Sequence, residues 1–435
     1  MSQVPRKLCI GMSLATTWLS GNSWRNTSSR VDRLYDIEYY IGLAQQAERA
    51  KMDFVFRPDS LFIDPSTLAH SIGFSGLDPT LLMTAVAAHT QHIGLLTTAS
   101  TTFNSPYLLA RQMQSLHHIS QGRAGWNVVT SLDGHQNFGL ADMPDTEFRY
   151  ARAEEVIEAV KALWHSFPKN SIIEDKAKGQ YADTNKICPI NFDGQYVATK
   201  GPLSLPTHEA GDMPLFQAGA SGIGKSFAAQ IADGVFAATP DMEAAKTLRQ
   251  ELQQLAEKNG REVDSIKILP GLSLFLAETK VQAEQLLLDA RSEDVRERQI
   301  QFALNSLGIE VSELSQDTVI DKNMMGVMGR VRSKTHSLLI RRLIERQPMH
   351  LEELLLQPEV SGSGHWQIVG TVDDALAEIV KWAKNDAIDG FIALPGGDET
   401  SFNLVCEQLM PALTRKGWFR QDYANSTFKS HLQQR

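Results

Sequence analysis

The sequence predicts one (β/α)8 barrel of the TIM type, carrying two insertions, over residues 1–435. Three observations carry that expectation. Short apolar runs alternate with longer amphipathic stretches, the pattern of a parallel sheet wrapped in helices. Eight such runs occur, and eight strands close a barrel. A length of 435 residues suits one barrel with insertions.

In chain order, strands are expected at residues 8–15, 54–59, 93–100, 124–131, 215–220, 234–238 and 266–277, most of them bounded by Gly, Pro or Asp. Helices are expected at 36–51, 79–90, 106–121, 149–167 and 241–259. The fourth has the clearest spacing, since Val156, Ile157, Val160, Leu163 and Trp164 fall on one helical face. The last unit is a helix at 371–385, a strand at 391–394 and a closing helix near 403–416.

Two segments break this rhythm. Residues 168–214, rich in Lys, Gly, Pro and Asn, form an excursion in which Tyr196 and Val197 read as a hairpin arm. Residues 290–364 are too long for an ordinary connection. They carry helical patterning and the stretch NMMGVMGRVRSK, which joins adaptable methionines to glycine hinges and cations. Two readings stay open: a lid that keeps water from the barrel mouth, or an extra packing subdomain.

Composition narrows the function classes. Apolar residues make up 42% and charged residues 21%, and no apolar run reaches the ~20 residues of a membrane helix, so a soluble chain with no membrane partner is expected. The net charge of −9 leaves no basic footprint for nucleic acid. Cys9, Cys188 and Cys406 lie far apart with no CxxC pair, which fits a reducing, cytoplasmic setting. Arg6 and Lys7 precede an apolar run that could open a signal peptide, but Ser13, Thr16 and Thr17 interrupt it, and a buried first strand is the preferred reading.

The segment from Gly219 to Ser226, GASGIGKS, satisfies the P-loop pattern, after an apolar run and before a helical one. A nucleotide triphosphatase would also need an acidic residue closing a second apolar strand, to hold Mg2+, and no later run ends that way. What both readings share is an anion site: glycines allow close approach, and the first N–H groups of the next helix attract phosphate. Ser221 and Gly222 therefore suit a cofactor phosphate, and Lys225 need not touch it.

The segment GRAGWNVVTS, residues 122–131, is the most specific string in the chain. It resembles the hallmark of the luciferase-like flavin monooxygenases of the nitrilotriacetate monooxygenase component A group. STTFNSPYLLAR (100–111), Asn137-Phe138-Gly139, RYARAEEVIEAVKALW (149–164), QAGASGIGKSFAA (217–229), Ile368-Val369-Gly370-Thr371, Asp389 to Phe391 and KGWFRQDY (416–423) are similar to that family in the same order. The resemblance implies a bacterial luciferase-like barrel and an FMNH2-dependent monooxygenase. It also implies reduced FMN supplied by a separate NAD(P)H-dependent flavin reductase, a flavin C4a-peroxide formed with O2, and no metal. A homodimer or homotetramer is expected.

Carried over by position, the resemblance assigns Asp59 to a place beside the flavin and Thr102 to the ring or ribityl chain. Asn127 falls at the polar ring edge, and Tyr150 falls near the phosphate held by Ser221 and Gly222. Each has a plainer alternative: helix cap, turn hydroxyl, backbone-satisfying amide and core-edge aromatic respectively. The family usually carries a histidine four residues before that tyrosine, whereas this chain has Thr146, which brings no titratable charge. Arg57 and Pro58 also stand where relatives have smaller apolar residues.

Substrate contacts are expected from Trp18, Trp24 and Arg25 in the first loop, from Arg57, and from His336 and His365 in the long insertion. The arginines suit a carboxylate or sulfonate, and the resemblance implies an aminopolycarboxylate, a sulfone or sulfonate, or a modified amino acid. No residue is assigned as catalytic. The alternatives carried forward are the P-loop triphosphatase and a non-catalytic flavin-binding protein.

Overall fold

A computed structural model describes residues 6–219, 221–291, 293–310, 317–329, 331, 334–361 and 364–433. The strands that build the barrel wall are β1 (Cys9–Ser13), β2 (Phe54–Arg57), β3 (Gly94–Ser100), β4 (Ala124–Val129), β5 (Leu215–Gln217), β6 (Gly234–Ala237), β7 (Lys267–Leu276) and, past a further strand, β9 (Gly390–Pro395). Every neighbouring pair is parallel, and β6 with β7, β7 with β9 and β9 with β1 complete the ring. All eight expected strands are present at their expected places.

The further strand, β8 (Trp366–Gly370), was not foreseen. Strand β7 is ten residues long, and β6 pairs only with its first part, up to Pro270. Strand β8 takes over from Leu272 to Leu276, lengthening that wall toward the mouth.

The helices outside the wall bury one face each. Among them are α1 (Ile37–Arg49), α2 (Pro79–His89), α3 (Pro106–Ile119), α4 (Thr146–His165), α5 (Gly222–Ile231) and α6 (Met242–Lys258). Asp36, Asp78, Ser105, Asp145, Ser221 and Asp241 cap them in that order, each side chain accepting a backbone N–H of the first turn. No described helix is long and apolar enough to cross a membrane.

The bore is filled from below. Phe54, Phe56, Leu96, Phe216, Leu269 and Ile392 point inward, and the C-terminal helix Phe428–Gln433 adds Phe428 and Leu432 to the same cluster. A Cβ at Gly94 or Gly125 would lie 2.6 or 2.5 Å from the Phe428 ring, so these two glycines on β3 and β4 form its slot. Phe428 packs on Phe54 and Phe216 at centroid distances of 5.1 and 5.7 Å. The tail is fastened at the N-terminal end of β2. There the Arg420 guanidinium pairs with the buried Asp53 carboxylate, and Tyr423 donates to Met52 O at 2.7 Å.

The two segments that break the strand and helix alternation hold elements of their own. Residues 168–214 hold two small hairpins, Ile172–Asp175 with Gln180–Ala182, and Phe192–Asp193 with Ala198–Thr199. Tyr196 and Val197 lie in the turn of the second rather than in its arm. The Glu155 carboxylate fixes that turn by accepting three of its backbone N–H groups.

The long insertion has its own core of Ala303, Leu304, Leu307, Ile320, Ile340, Ile344 and Leu354, with Met324 and Met325 packed on it. It touches the barrel at loops that follow strand C-termini. Asn22 after β1 donates to Arg291 O at 2.6 Å, Arg298 donates to Thr67 after β2 at 3.2 Å, and Arg346 pairs with Asp241 after β6 at 3.0 Å. Arg330 and Arg332 lie outside the described residues.

Truncating the plug exposes the base of the bore. Phe428→Ala is expected to lower the unfolding free energy by about 3–5 kcal/mol, the cost of emptying an aromatic core site, as read by urea denaturation. A loss below about 1 kcal/mol would mean that the bore closes without the tail.

Candidate active site

A barrel presents chemistry at the C-terminal ends of its strands. Thr98, Asn127 and Phe216 sit in register on β3, β4 and β5, and side-chain alternation from Leu96 turns Thr98 and Asn127 into the bore. Asn127 Nδ2 donates to Thr98 Oγ1 at 3.0 Å, and that hydroxyl donates to Arg57 O at 2.8 Å. Asn127 Oδ1 is shut off from solvent and has no hydrogen-bond partner among the described residues. A buried carbonyl left so costs about 1–3 kcal/mol unless a ligand N–H meets it.

The loops after β3 and β4 are laced together. Thr102 Oγ1 accepts from Ser131 N at 3.1 Å, and the Ser100 and Ser131 hydroxyls are 2.7 Å apart. Thr102 therefore still has its own proton to donate. Asp59, half-buried beyond the end of β2, has its carboxyl held above the usual range. Burial is the main cause, Asp78 adds to it, and Ser60 N–H and Arg57 oppose it.

Tyr150 and Ser221 meet at a second corner. A Cβ placed on Gly224 would lie 2.9 Å from Tyr150 Oη and 3.1 Å from Ser221 Oγ. Ser221 caps α5 by accepting Gly224 N–H at 3.1 Å, and a Cβ on Gly222 would meet nothing within 4 Å. The helix thus opens with first-turn N–H groups that take no partner among the described residues, next to a phenol, which is the donor set a phosphate takes. Lys225, which a P-loop would send to the phosphates, pairs instead with Glu251 of α6 at 2.7 Å.

Two arginines that sequence reasoning did not single out fix the helix that carries Tyr150. Arg149 is buried, donates to Ser131 O, and reaches Thr146 Oγ1 at 3.0 Å. Arg152 donates to Thr101 O and, at 3.1 Å, to Asn104 O. Together they tie α4 to the loops after β3 and β4. Thr239, buried after β6 with its hydroxyl unpartnered among the described residues, is a further polar group at this end that was not anticipated.

The expected substrate residues are not gathered in one place. Trp18 is in the core, donating to Tyr39 Oη at 3.1 Å and packing edge-on against Phe402. Trp24 is half-buried and donates to His70 O at 3.1 Å, while Arg25 beside it is exposed. Arg57 is buried, its Nη1 donating to Leu14 O at 2.6 Å and its guanidinium lying over the Tyr40 ring. His365, by contrast, lies over Phe236 of β6, with His336 near enough to lower its basicity. The His365 ring stacks there at 5.0 Å.

A family model described as luciferase-like monooxygenase matches residues 13–317. The chain is 33% identical over 436 residues to N-acetyl-S-(2-succino)cysteine monooxygenase of Bacillus subtilis (strain 168), covering 99% of this chain and 98% of that protein. It is also 33% identical over 441 residues to nitrilotriacetate monooxygenase component A of Aminobacter aminovorans, covering 98% and 96%. Among solved structures, EDTA monooxygenase from Chelativorans sp. BNC1 superposes with a TM-score of 0.79 at 27% identity over 99% of each chain. Long-chain alkane monooxygenase superposes with a TM-score of 0.81 at 26% identity, over 99% of this chain and 96% of that one.

His365 should be neutral throughout the physiological range. Burial chiefly, with His336 adding to it and the Ala237 carbonyl opposing, pushes its ring down to about 4. A folded value below the unfolded value of about 6.5 stabilises the fold above that pH, and the stability is lost as pH falls toward 4. In 15N-edited NMR titration the His365 ring is expected to keep its neutral shifts down to about pH 5. A His365 midpoint near 6.5 would contradict this environment.

Proposed function

Since this chain belongs to the luciferase-like monooxygenase family, we propose that it is the oxygenase component of a two-component system. It takes reduced FMN from a separate NAD(P)H-dependent reductase and uses O2 to oxidise a small organic molecule. One observation carries the cofactor assignment: Tyr150 Oη, Ser221 Oγ and the open N-terminus of α5 converge, and the adjoining strand holds the unpartnered Asn127 Oδ1. The partner reductase is supported by relatives named as one component or subunit of a larger system. A cytoplasmic homodimer or homotetramer belongs to the same reading.

Bound reduced flavin supplies the reaction with O2; the protein supplies placement and a dry site. The first-turn N–H groups of α5, Gly222 among them, and Ser221 hold the phosphate, with Tyr150 donating from the side. Thr146 and Arg149 support that corner. Thr102 donates to the ribityl chain or ring, and Asp59 and Asn127 receive the polar ring edge. The long insertion, resting on loops after β1, β2 and β6, limits access of water to the mouth.

The relatives act, by name, on N-acetyl-S-(2-succino)cysteine, nitrilotriacetate, EDTA and dibenzothiophene sulfone. An anionic or strongly polar small molecule is the class assigned here. Exposed Arg25 and half-buried Trp24 are its contacts on the first loop, while buried Arg57 is assigned to the wall, where its Nη1 donates to Leu14 O and its guanidinium lies over Tyr40.

Anaerobic titration with reduced FMN, followed by O2 in the presence of these compounds, tests the reading. Binding with O2-dependent product is expected. Binding without product in any of them would make the protein a flavin carrier, and no binding combined with Mg2+-dependent ATP hydrolysis would restore the triphosphatase. Ser221→Asp should weaken FMN by about tenfold or more by setting a carboxylate against the phosphate. Tyr150→Phe should weaken it by about fivefold, one lost hydrogen bond. Unchanged affinity in both variants would place the phosphate elsewhere.

A further inference from the structure

The long insertion ends at His365, immediately before β8, and delivers this side chain into the bore. Gly271 of β7 has the same facing as Leu269, which belongs to the bore cluster, so its missing Cβ direction points inward. A Cβ there would lie 2.5 Å from His365 Nδ1 and 2.8 Å from the Phe236 ring. The imidazole therefore occupies space that any other residue at 271 would fill. It stacks on Phe236 at 5.0 Å, and Phe236 meets Phe56 edge-on at 5.5 Å, so the ring lies on the aromatic floor of the mouth. Nδ1 is shut off from solvent and has no hydrogen-bond partner among the described residues.

We propose that His365 Nδ1 is the acceptor that positions the substrate, and that the substrate presents to it an N–H or O–H donor. The inference rests on the flavin reading above, which assigns the cofactor to residues on the β2 to β5 side. His365 reaches the mouth from the opposite stretch of wall, between β6 and β7. A half-buried imidazole low in basicity is uncharged at neutral pH and cannot hold a carboxylate by charge. With one ring N–H turned to protein, its remaining nitrogen can only accept. Ligands lacking a donor leave that nitrogen unpaired and bind less well. An amide, alcohol or protonated amine at this end of the substrate meets the requirement, whereas a plain sulfide or ester does not.

The test uses matched probes that differ in one donor: acetamide against N,N-dimethylacetamide, succinimide against N-methylsuccinimide, and imidazole against N-methylimidazole. Each is titrated into FMN-loaded protein carrying 15N-histidine, with His365 assigned by comparison with His365→Phe. This variant keeps an aromatic ring on Phe236 and removes the acceptor.

Donor probes are expected to bind about fivefold or more tightly than their methylated partners and to move the Nδ1 resonance. The preference should vanish in His365→Phe, return in part in His365→Gln, and leave FMN affinity within about twofold, because no flavin contact is removed. Equal binding of the pairs, or a preference that survives in His365→Phe, overturns the proposal. A shift of Nδ1 caused by FMN alone, or loss of FMN binding in the variant, also overturns it, by making the flavin the donor. If wild-type protein does not bind FMN, the flavin reading fails separately, and the same titration of the apo-protein still decides the acceptor role.

Discussion

Everything at the mouth depends on how the bore is filled. Eight strands enclose a channel only wide enough for side chains, so each large residue inside needs a small one facing it. Gly94 and Gly125 admit Phe428 from below, Gly234 admits Phe216, and Gly271 admits His365 from above. Phe54, Phe216 and Phe428 fill the lower bore, while Phe56 and Phe236 form the floor. Above that level the inward positions carry polar groups: Thr98, Asn127 and the returning imidazole. Their position against the apolar floor is what leaves Asn127 Oδ1 and His365 Nδ1 buried and available.

The long insertion is built to vary without disturbing that filling. Its apolar residues close on one another in a separate core, and its ties to the barrel are to loops rather than to the wall. Its exit is another matter. Strand β8 is locked to β7 over five register pairs, so the backbone around residue 366 is as fixed as the barrel itself. His365 therefore combines the sequence freedom of an insertion with the placement of a wall residue. Such a position can select among substrates in a family that shares one cofactor site.

The fold was legible because each wall strand is an apolar run ended by a turn residue, and Ser or Asp caps announce most helices. Two elements escaped for physical reasons. Trp366–Gly370 buries alternate residues only, and so lacks the continuous apolar run that marks the other strands. The C-terminal plug has just Phe428 and Leu432, one helical turn apart, in a polar tail. That pair was the only signal available. At the candidate site, Asn127 and Tyr150 were proposed through a resemblance of motifs, and Ser221 through the glycine-rich segment before a helix. Arg149 and Arg152 were missed because a charged residue on a helix reads as exposed until tertiary structure shows carbonyls around it. Arg57 is the reverse case, an arginine expected at a ligand whose Nη1 is directed to the protein's own Leu14 carbonyl.

Thr146 is where this chain departs most from its family, and the structure alters what that departure means. A histidine at the first turn of α4 would bring a charge that switches off near pH 6.5. Threonine brings none, but its hydroxyl accepts from Arg149, a guanidinium one residue from Tyr150 and buried against Ser131 O. Arginine stays charged at every physiological pH. On the proposed reading, the positive charge beside the phosphate corner is supplied by a residue that the barrel itself holds in place, with Thr146 Oγ1 accepting from it. On the proposed reading, exchanging histidine for threonine gives up a titratable contact and keeps the field. The hold on a flavin phosphate then depends on salt concentration more than on pH, because screening weakens a fixed charge that protonation cannot alter.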